Sequence, residues 1–91
     1  MQIHHSGNIV VNGKSRIGKN CQLHGSNCIG NDGKTLDAPV IGNNVEVGVG
    51  AKIIGGIRIA DNIKIGAGAI VVTSFTEPGI TIGGVPARRL K

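Results

Sequence analysis

Residues 41–70 read IGNNVE, VGVGAK, IIGGIR, IADNIK and IGAGAI, which are five consecutive blocks of six residues. Each block begins with Ile or Val, has Asn or Gly fourth, and has Val, Ala or Ile fifth. Counted every sixth residue from His5 to Val71, ten of twelve positions are Ile, Leu or Val. The composition alone would supply about three or four by chance. The six-residue repeat is therefore the main structural signal in the chain.

Neither an α-helix nor an isolated strand explains this period. Gly and Asn in every block destabilise a helix, and a strand alternates every two residues without turning. A short strand followed by a tight turn, repeated, forms a coil whose walls are parallel strands. Asn and Gly tolerate the left-handed backbone conformation that such a turn requires. Three walls per coil take 18 residues, so residues 5–76 predict four coils with strands stacked about 4.8 Å apart.

The composition suits such a coil and excludes other classes. The 91 residues include 14 Ile, 9 Val and 16 Gly, but one Phe and no Trp or Tyr. Stacked branched side chains can form a core without rings. The longest apolar run is four residues, far below the roughly 20 that span a membrane. We therefore expect one domain, residues 1–91, with no membrane partner.

The net charge and the cysteine content indicate which partners and which cellular environment suit the protein. The net charge is +5, which suits an anionic ligand. Nucleic acid is disfavoured because there is a single aromatic residue for stacking and no dense basic run. Cys21 and Cys28 are too few for a disulfide framework, which indicates a reduced, cytoplasmic protein.

One window breaks the repeat. Residues 35–40 read TLDAPV, which places Pro39 where other blocks have a small inward residue. Together with residues 31–34, NDGK, this window predicts a loop extruded from the coil. Loops on a rigid scaffold tend to carry binding and catalytic residues.

The six-residue blocks resemble those of the hexapeptide-repeat acyltransferases. This resemblance implies an all-β fold, a single-stranded left-handed parallel β-helix of about four coils with one extruded loop. Further motifs resemble the serine O-acetyltransferase branch and its shorter relatives from polysaccharide gene contexts. They are HHSGNIVVN at 4–12, IGNDGK at 29–34, GVGAKIIG at 48–55, KIGAGA at 64–69 and GVPAR at 84–88.

The resemblance implies an acetyl-CoA-dependent O-acetyltransferase that acetylates a hydroxyl of a small acceptor, serine or a sugar, in cysteine or polysaccharide biosynthesis. His5 matches the family's catalytic histidine, and an imidazole that titrates near neutrality suits removal of the hydroxyl proton. His4 falls at a substrate-contacting position. His24 lies one 18-residue coil from Ser6, so it is either a substrate contact beside His5 or a solvent-exposed wall residue. The six-residue count points His5 inward, whereas the resemblance places it in a groove.

Coenzyme A, in the related enzymes, lies in a groove between subunits of a homotrimer, and no metal is implied. Carried over by position, Asn31, Gly33 and Lys34 of the loop are expected to meet the pantetheine arm. Val49 and Ala67, which stack on each other, are expected to form part of the groove wall. Lys64 and Arg88 or Arg89 are expected to meet the phosphates.

Several positions depart from the family pattern. The family orients its catalytic histidine with an Asp about one coil earlier, but no acidic residue precedes His5. The residues contain no counterpart of the family's N-terminal helical domain, so we expect the chain to correspond to the C-terminal part. Serine-specific enzymes have an Asp at the position of His4. They have a basic residue and a His where this chain has Asp37 and Ala38 before Pro39.

Two other functions fit the same scaffold. One is a catalytically impaired or truncated β-helical trimer with a structural or assembly role. The other is a zinc enzyme, because the chain has three histidines, His4, His5 and His24, and catalytic zinc often has three protein ligands.

Overall fold

Short strands make up the regular structure of the chain. The structure is a computed structural model that describes residues 2–3, 10–11, 15–31, 33 and 37–91. Within these ranges the strands are β1 Gln2–Ile3, β2 Val10–Val11, β3 Arg16–Ile17, β4 Gln22–Leu23, β5 Cys28–Gly30, β6 Val40–Ile41, β7 Glu46–Val47, β8 Lys52–Ile54, β9 Arg58–Ile59, β10 Lys64–Ile65, β11 Ile70–Val71, β12 Thr81–Gly83 and β13 Arg88–Arg89.

The strands form three walls of a coil. Wall A has the order β1-β4-β7-β10-β12-β13, wall B the order β2-β5-β8-β11, and wall C the order β3-β6-β9. All neighbours pair in parallel except β12 and β13, which are antiparallel. Phe75 extends wall C through a single bridge to Ile59. The predicted left-handed parallel β-helix of about four coils is confirmed.

The pairing register confirms the extruded loop. Val47 pairs with Ile65 and Ile53 with Val71, an offset of 18 residues. The offset is 24 where the paired strands flank the loop, as between Ile29 and Ile53. The six surplus residues fall between Gly30 and Val40, because β5 ends at the former and β6 begins at the latter.

The first coil departs from the sequence-based count. Ile3 pairs with Leu23, an offset of 20, whereas Val11 pairs with Ile29, an offset of 18. Two extra residues therefore separate β1 from β2, and Leu23 pairs with Ile3, two residues before the position that the six-residue count predicts. The count does not continue unchanged to the start of the chain for that reason, and His5 itself lies outside the described residues.

Aliphatic columns fill the coil, as the composition predicts. In wall A the residues of one such column are almost completely buried: Leu23, Val47, Ile65 and Ile82. Each buried side chain of this size contributes roughly 1.5–3 kcal/mol. Val11 is an exception at the first described coil, since 37% of it is exposed although it was predicted to face inward.

The turns use the left-handed backbone conformation that the repeat predicts at the fourth position of each block. Asn20, Asn44 and Asn62 have φ values of 59°, 58° and 61°, and Ser26 has 52°. Gly50 and Gly68 occupy the same position with φ of 74° and 73°. Asn and Gly are the residues that adopt this conformation at the lowest cost.

The C-terminal segment closes the last coil. β13 turns back onto β12, and the Leu90 amide donates a hydrogen bond to the carbonyl oxygen of Thr81 at 2.7 Å. The Ala87 amide donates to the carbonyl oxygen of Ile70 at 2.8 Å, which pairs the end of wall B. None of the described residues forms a helix that is long and apolar enough to cross a membrane.

Candidate functional site

A histidine and a carboxylate meet where wall A turns toward wall B. His24 directly follows β4, and its backbone amide donates to the carbonyl oxygen of Val47 at 3.1 Å. The Nε2 atom of its ring lies 3.1 Å from Oε1 of Glu46, the first residue of β7. A carboxylate only accepts hydrogen bonds, so this contact places a hydrogen on Nε2. The side chains are 27% and 44% exposed, which leaves both accessible to a ligand.

The turn that carries His24 is fixed from inside the core. Asn27 is 1% exposed, and its Oδ1 accepts a hydrogen bond from the Gly25 amide at 2.9 Å. Its Nδ2 donates to the carbonyl oxygens of Gly48 at 2.9 Å and Ala51 at 3.0 Å, which belong to the next coil. The buried amide therefore ties the turn after β4 to the turn after β7.

The outer face of wall A is polar. Gln22, Glu46, Lys64 and Thr81 are aligned by strand pairing. Because side chains alternate along a strand, these four point away from the buried column beside them. Lys64 thus lies directly across from Glu46 on the neighbouring strand.

The two predicted phosphate-binding arginines fall on opposite sides of β13. Arg88 pairs with Gly83 and Arg89 with Ile82, whose side chain is buried. Paired residues in neighbouring strands point to the same side, so Arg88 shares the outer face with Lys64. Arg89 instead places Nη1 2.8 Å from Oε2 of Glu77.

The predicted groove wall forms an exposed strip at the corner between walls A and B. The Gly68 amide donates to the carbonyl oxygen of Val49 at 2.9 Å, which stacks Val49 beside Ala67. Both residues are exposed, and Val85 of the C-terminal segment is 72% exposed. Over the described ranges the surface is open and contains no enclosed pocket.

The described ends of the extruded loop are anchored to the coil. Asn31 Oδ1 accepts a hydrogen bond from the Gly33 amide at 3.2 Å, and Gly33 has a φ of 80°. This is the Asx turn that Asn forms with the backbone two residues on. On the returning side Pro39 is buried, and its carbonyl oxygen accepts from the Arg16 amide at 3.0 Å.

Comparison with known proteins places this geometry in a family. No protein-family model matches the chain. A serine acetyltransferase from Synechococcus elongatus is 34% identical over 88 residues, which are 94% of this chain and 36% of that protein. The structure of a serine acetyltransferase from Brucella abortus in complex with coenzyme A matches with a TM-score of 0.92 and 32% identity, over 98% of this chain and 36% of that one. By sequence and fold, nearly the whole chain resembles part of the serine acetyltransferases, a branch of the hexapeptide-repeat acyltransferases.

A third match covers a similarly small part of its relative. A serine acetyltransferase from Neisseria gonorrhoeae in complex with serine has a TM-score of 0.90 and 34% identity, over 99% of this chain and 37% of that one. The chain thus spans little more than a third of these relatives. The homology covers the β-helix, which is the part of the acetyltransferases to which the predicted site residues were assigned.

The predicted site residues of this acetyltransferase-like chain form three described groups. His24 lies with Glu46 at the turn after β4, and Lys64, Arg88, Val49 and Ala67 lie on wall A and its corner with wall B. Asn31 and Gly33 lie at the start of the extruded loop. His4, His5 and Lys34 lie outside the described residues, and so does Ser6, to which His24 was related. The strand before His24 pairs with an offset of 20 rather than the 18 on which that relation relied.

Sequence reasoning missed Glu46 and Asn27. Glu46 is 22 residues from His24, a separation that the 18-residue coil does not predict unless the length of the loop is known. Asn27 was detectable as a polar residue at the fifth position of its block, where the other blocks have small or aliphatic residues.

The zinc hypothesis draws on three histidines, of which the structure describes His24. Over the described ranges no three His, Cys, Asp or Glu side chains lie close enough together to hold a metal ion. His24 instead contacts a carboxylate through Nε2.

Proposed function

We propose that this protein transfers an acetyl group from acetyl-CoA to a hydroxyl group of a small acceptor. The main support is the match, at a TM-score of 0.92 over nearly the whole chain, to a serine acetyltransferase in complex with coenzyme A. Two free thiols, one of them buried, suit a reducing compartment, and we place the reaction in the cytoplasm.

His5 is the general base of the proposed reaction. Its imidazole accepts the hydroxyl proton while the oxygen attacks the thioester carbonyl carbon and a carbon–oxygen bond forms. The carbon–sulfur bond then breaks, and the departing thiolate takes the proton from the imidazolium. Backbone amides at Gly-rich turns are suitable donors for the oxyanion that forms in between.

Coenzyme A binds along the corner between walls A and B. Val49 and Ala67 provide an exposed apolar strip for the pantetheine arm. The family resemblance assigns Asn31, Gly33 and Lys34 to the same arm, from the extruded loop that leaves the coil between walls B and C. Lys64 and Arg88 lie on one face, and both suit phosphate groups. Arg89 is the weaker candidate because Glu77 already binds it.

The active form is a homotrimer with the sites between subunits. The exposed side chains of Val49 and Val85 support this arrangement, because exposed apolar residues suit a contact between subunits. The structural alternative, a silent trimer, shares the assembly but not the ligand.

The acceptor is serine or a sugar. Serine is the ligand of the Neisseria gonorrhoeae relative. Asp37 is exposed at the end of the loop, where a carboxylate repels rather than binds the carboxylate of an amino acid.

One experiment tests the activity. Consumption of acetyl-CoA is followed chromatographically with serine and a panel of neutral sugars, for the natural sequence, His5→Ala and Asp61→Asn. We expect activity with one acceptor class, a loss of at least about a hundredfold in His5→Ala, and no change in Asp61→Asn. If His5→Ala is as active as the natural sequence, His5 is not the general base. Absence of both turnover and coenzyme A binding at millimolar concentration favours the structural trimer, and stoichiometric zinc in the purified protein favours the metal enzyme.

A further inference from the structure

The contact between His24 and Glu46 has the form of an oriented imidazole. The carboxylate holds Nε2 at 3.1 Å, and the backbone of His24 is itself fixed by its bond to the Val47 carbonyl oxygen. Asn27 fixes the turn that follows. A half-buried histidine whose ring and backbone are both held has little freedom left to lose when a ligand binds.

The surroundings of this pair are polar and balanced in charge. Lys64 lies across from Glu46 on β10, and Gln22 lies across from it on β4. One carboxylate, one ammonium and one amide therefore lie side by side on the outer face of wall A, and the carboxylate contacts the ring. Groups of this kind suit hydrogen bonding to hydroxyl compounds better than burial of an apolar surface.

The pair also lies next to the strand that leads into the predicted catalytic stretch. Leu23, the residue before His24, pairs with Ile3, and His4 and His5 follow Ile3 in the sequence. Glu46 supplies a carboxylate to this region from the following coil.

We propose that Glu46 is a positioning residue of the acceptor site. It fixes the orientation and tautomer of the His24 ring, and the exposed part of this ring contacts the hydroxyl acceptor. This inference rests on the proposed acetyltransferase function and adds a residue that the sequence alone did not assign.

A double-mutant cycle tests the inference. Glu46→Gln, His24→Asn and the double variant are compared with Asp61→Asn, an equivalent carboxylate-to-amide change at another turn, where Asp61 Oδ1 accepts from the Asn43 amide at 2.7 Å. We expect Glu46→Gln to lower kcat/KM for the acceptor about tenfold and to leave the KM for acetyl-CoA within about twofold. The double variant should match His24→Asn, because Glu46 acts through His24.

Histidine side-chain ¹⁵N NMR provides a readout that does not depend on turnover. The signals absent from His24→Asn identify the His24 ring, and we expect them to show hydrogen on Nε2 in the natural sequence and to change in Glu46→Gln but not in Asp61→Asn. Thermal unfolding verifies that all variants are folded.

The outcomes separate the two proposals. The first case is that the natural sequence acetylates an acceptor, so the proposed function stands. The positioning role is then overturned if Glu46→Gln has the same kcat/KM as Asp61→Asn, or if the effects of Glu46→Gln and His24→Asn add in the double variant. If the natural sequence turns over no acceptor, the proposed function fails, and the acceptor-site role fails with it.

Discussion

The Nδ2 atom of Asn27 lies 3.0 Å from the carbonyl oxygen of Ala51, inside the core and one coil further along the chain. The same nitrogen binds the Gly48 carbonyl oxygen at 2.9 Å. A single buried amide therefore binds two backbone acceptors, and it joins two successive turns at the corner between walls A and B.

The first prediction concerns this amide. In Asn27→Asp the carboxylate has no hydrogen to donate, so the carbonyl oxygens of Gly48 and Ala51 lose the Asn27 donor and face a buried acceptor instead; Gly48 keeps its bond from the Ala51 amide. We expect a loss of at least about 2 kcal/mol in the free energy of unfolding, measured by urea denaturation. Asn27→Ala, which removes the donor without adding charge, should lose less than Asn27→Asp. An unchanged denaturation midpoint in Asn27→Asp would show that this network contributes little.

The second prediction compares two glycines at the same position of their blocks. A Cβ on Gly48 would lie 2.6 Å from the Ala67 amide nitrogen and 2.8 Å from the Ile65 carbonyl oxygen, both backbone atoms. A Cβ on Gly66 would meet no atom closer than 3.5 Å. We expect Gly48→Ala to destabilise the fold by about 1–3 kcal/mol and Gly66→Ala to be neutral or to stabilise it by up to about 1 kcal/mol. Equal denaturation midpoints for the two variants would contradict the close packing of the turns.

The sequence period predicted the walls and the columns because each coil repeats the same physical requirements. A branched residue such as Ile53 faces inward, and a residue such as Asn44 adopts the turn conformation. The period could not reveal the two extra residues between Ile3 and Val10, since an insertion leaves no mark on the repeat that follows it. It also could not bring Glu46 to His24, because the loop between them shifts the register by six residues.

The third prediction separates the two arginines of β13. Lys64 and Arg88 share the outer face of wall A, whereas Arg89 binds Glu77 on the other side. If coenzyme A phosphates bind on the outer face, Lys64→Gln and Arg88→Gln should each raise the KM for acetyl-CoA roughly two- to fivefold, since an exposed charge contributes up to about 1 kcal/mol. The effects should shrink as salt is added. Arg89→Gln should leave this KM unchanged. A larger effect from Arg89 than from Arg88 would place the phosphates elsewhere.

The fourth prediction separates the fold from the site by excising the loop. Removing residues 31–36 joins Gly30 to Asp37, and the block that begins at Ile29 then reads IGDAPV, which has the six-residue length and the first two residues of the pattern. The pairings whose offset is now 24 would have an offset of 18, as Val47 and Ile65 already have. A second change, Ala38→Gly, supplies the residue type that the fourth position requires.

We expect the excised chain to fold, because the six removed residues are surplus to the coil and closing a shorter connection costs less entropy. It should lose coenzyme A binding, measured by calorimetry, because Asn31, Gly33 and Lys34 are gone. A control in which residues 31–36 are replaced by six Gly and Ser residues keeps the length but not the side chains. Retained binding in the excised chain would remove the loop from the site. If the excised chain does not fold while the Gly and Ser control does, the coil depends on the presence of the loop, which would contradict the expectation from the pairing register.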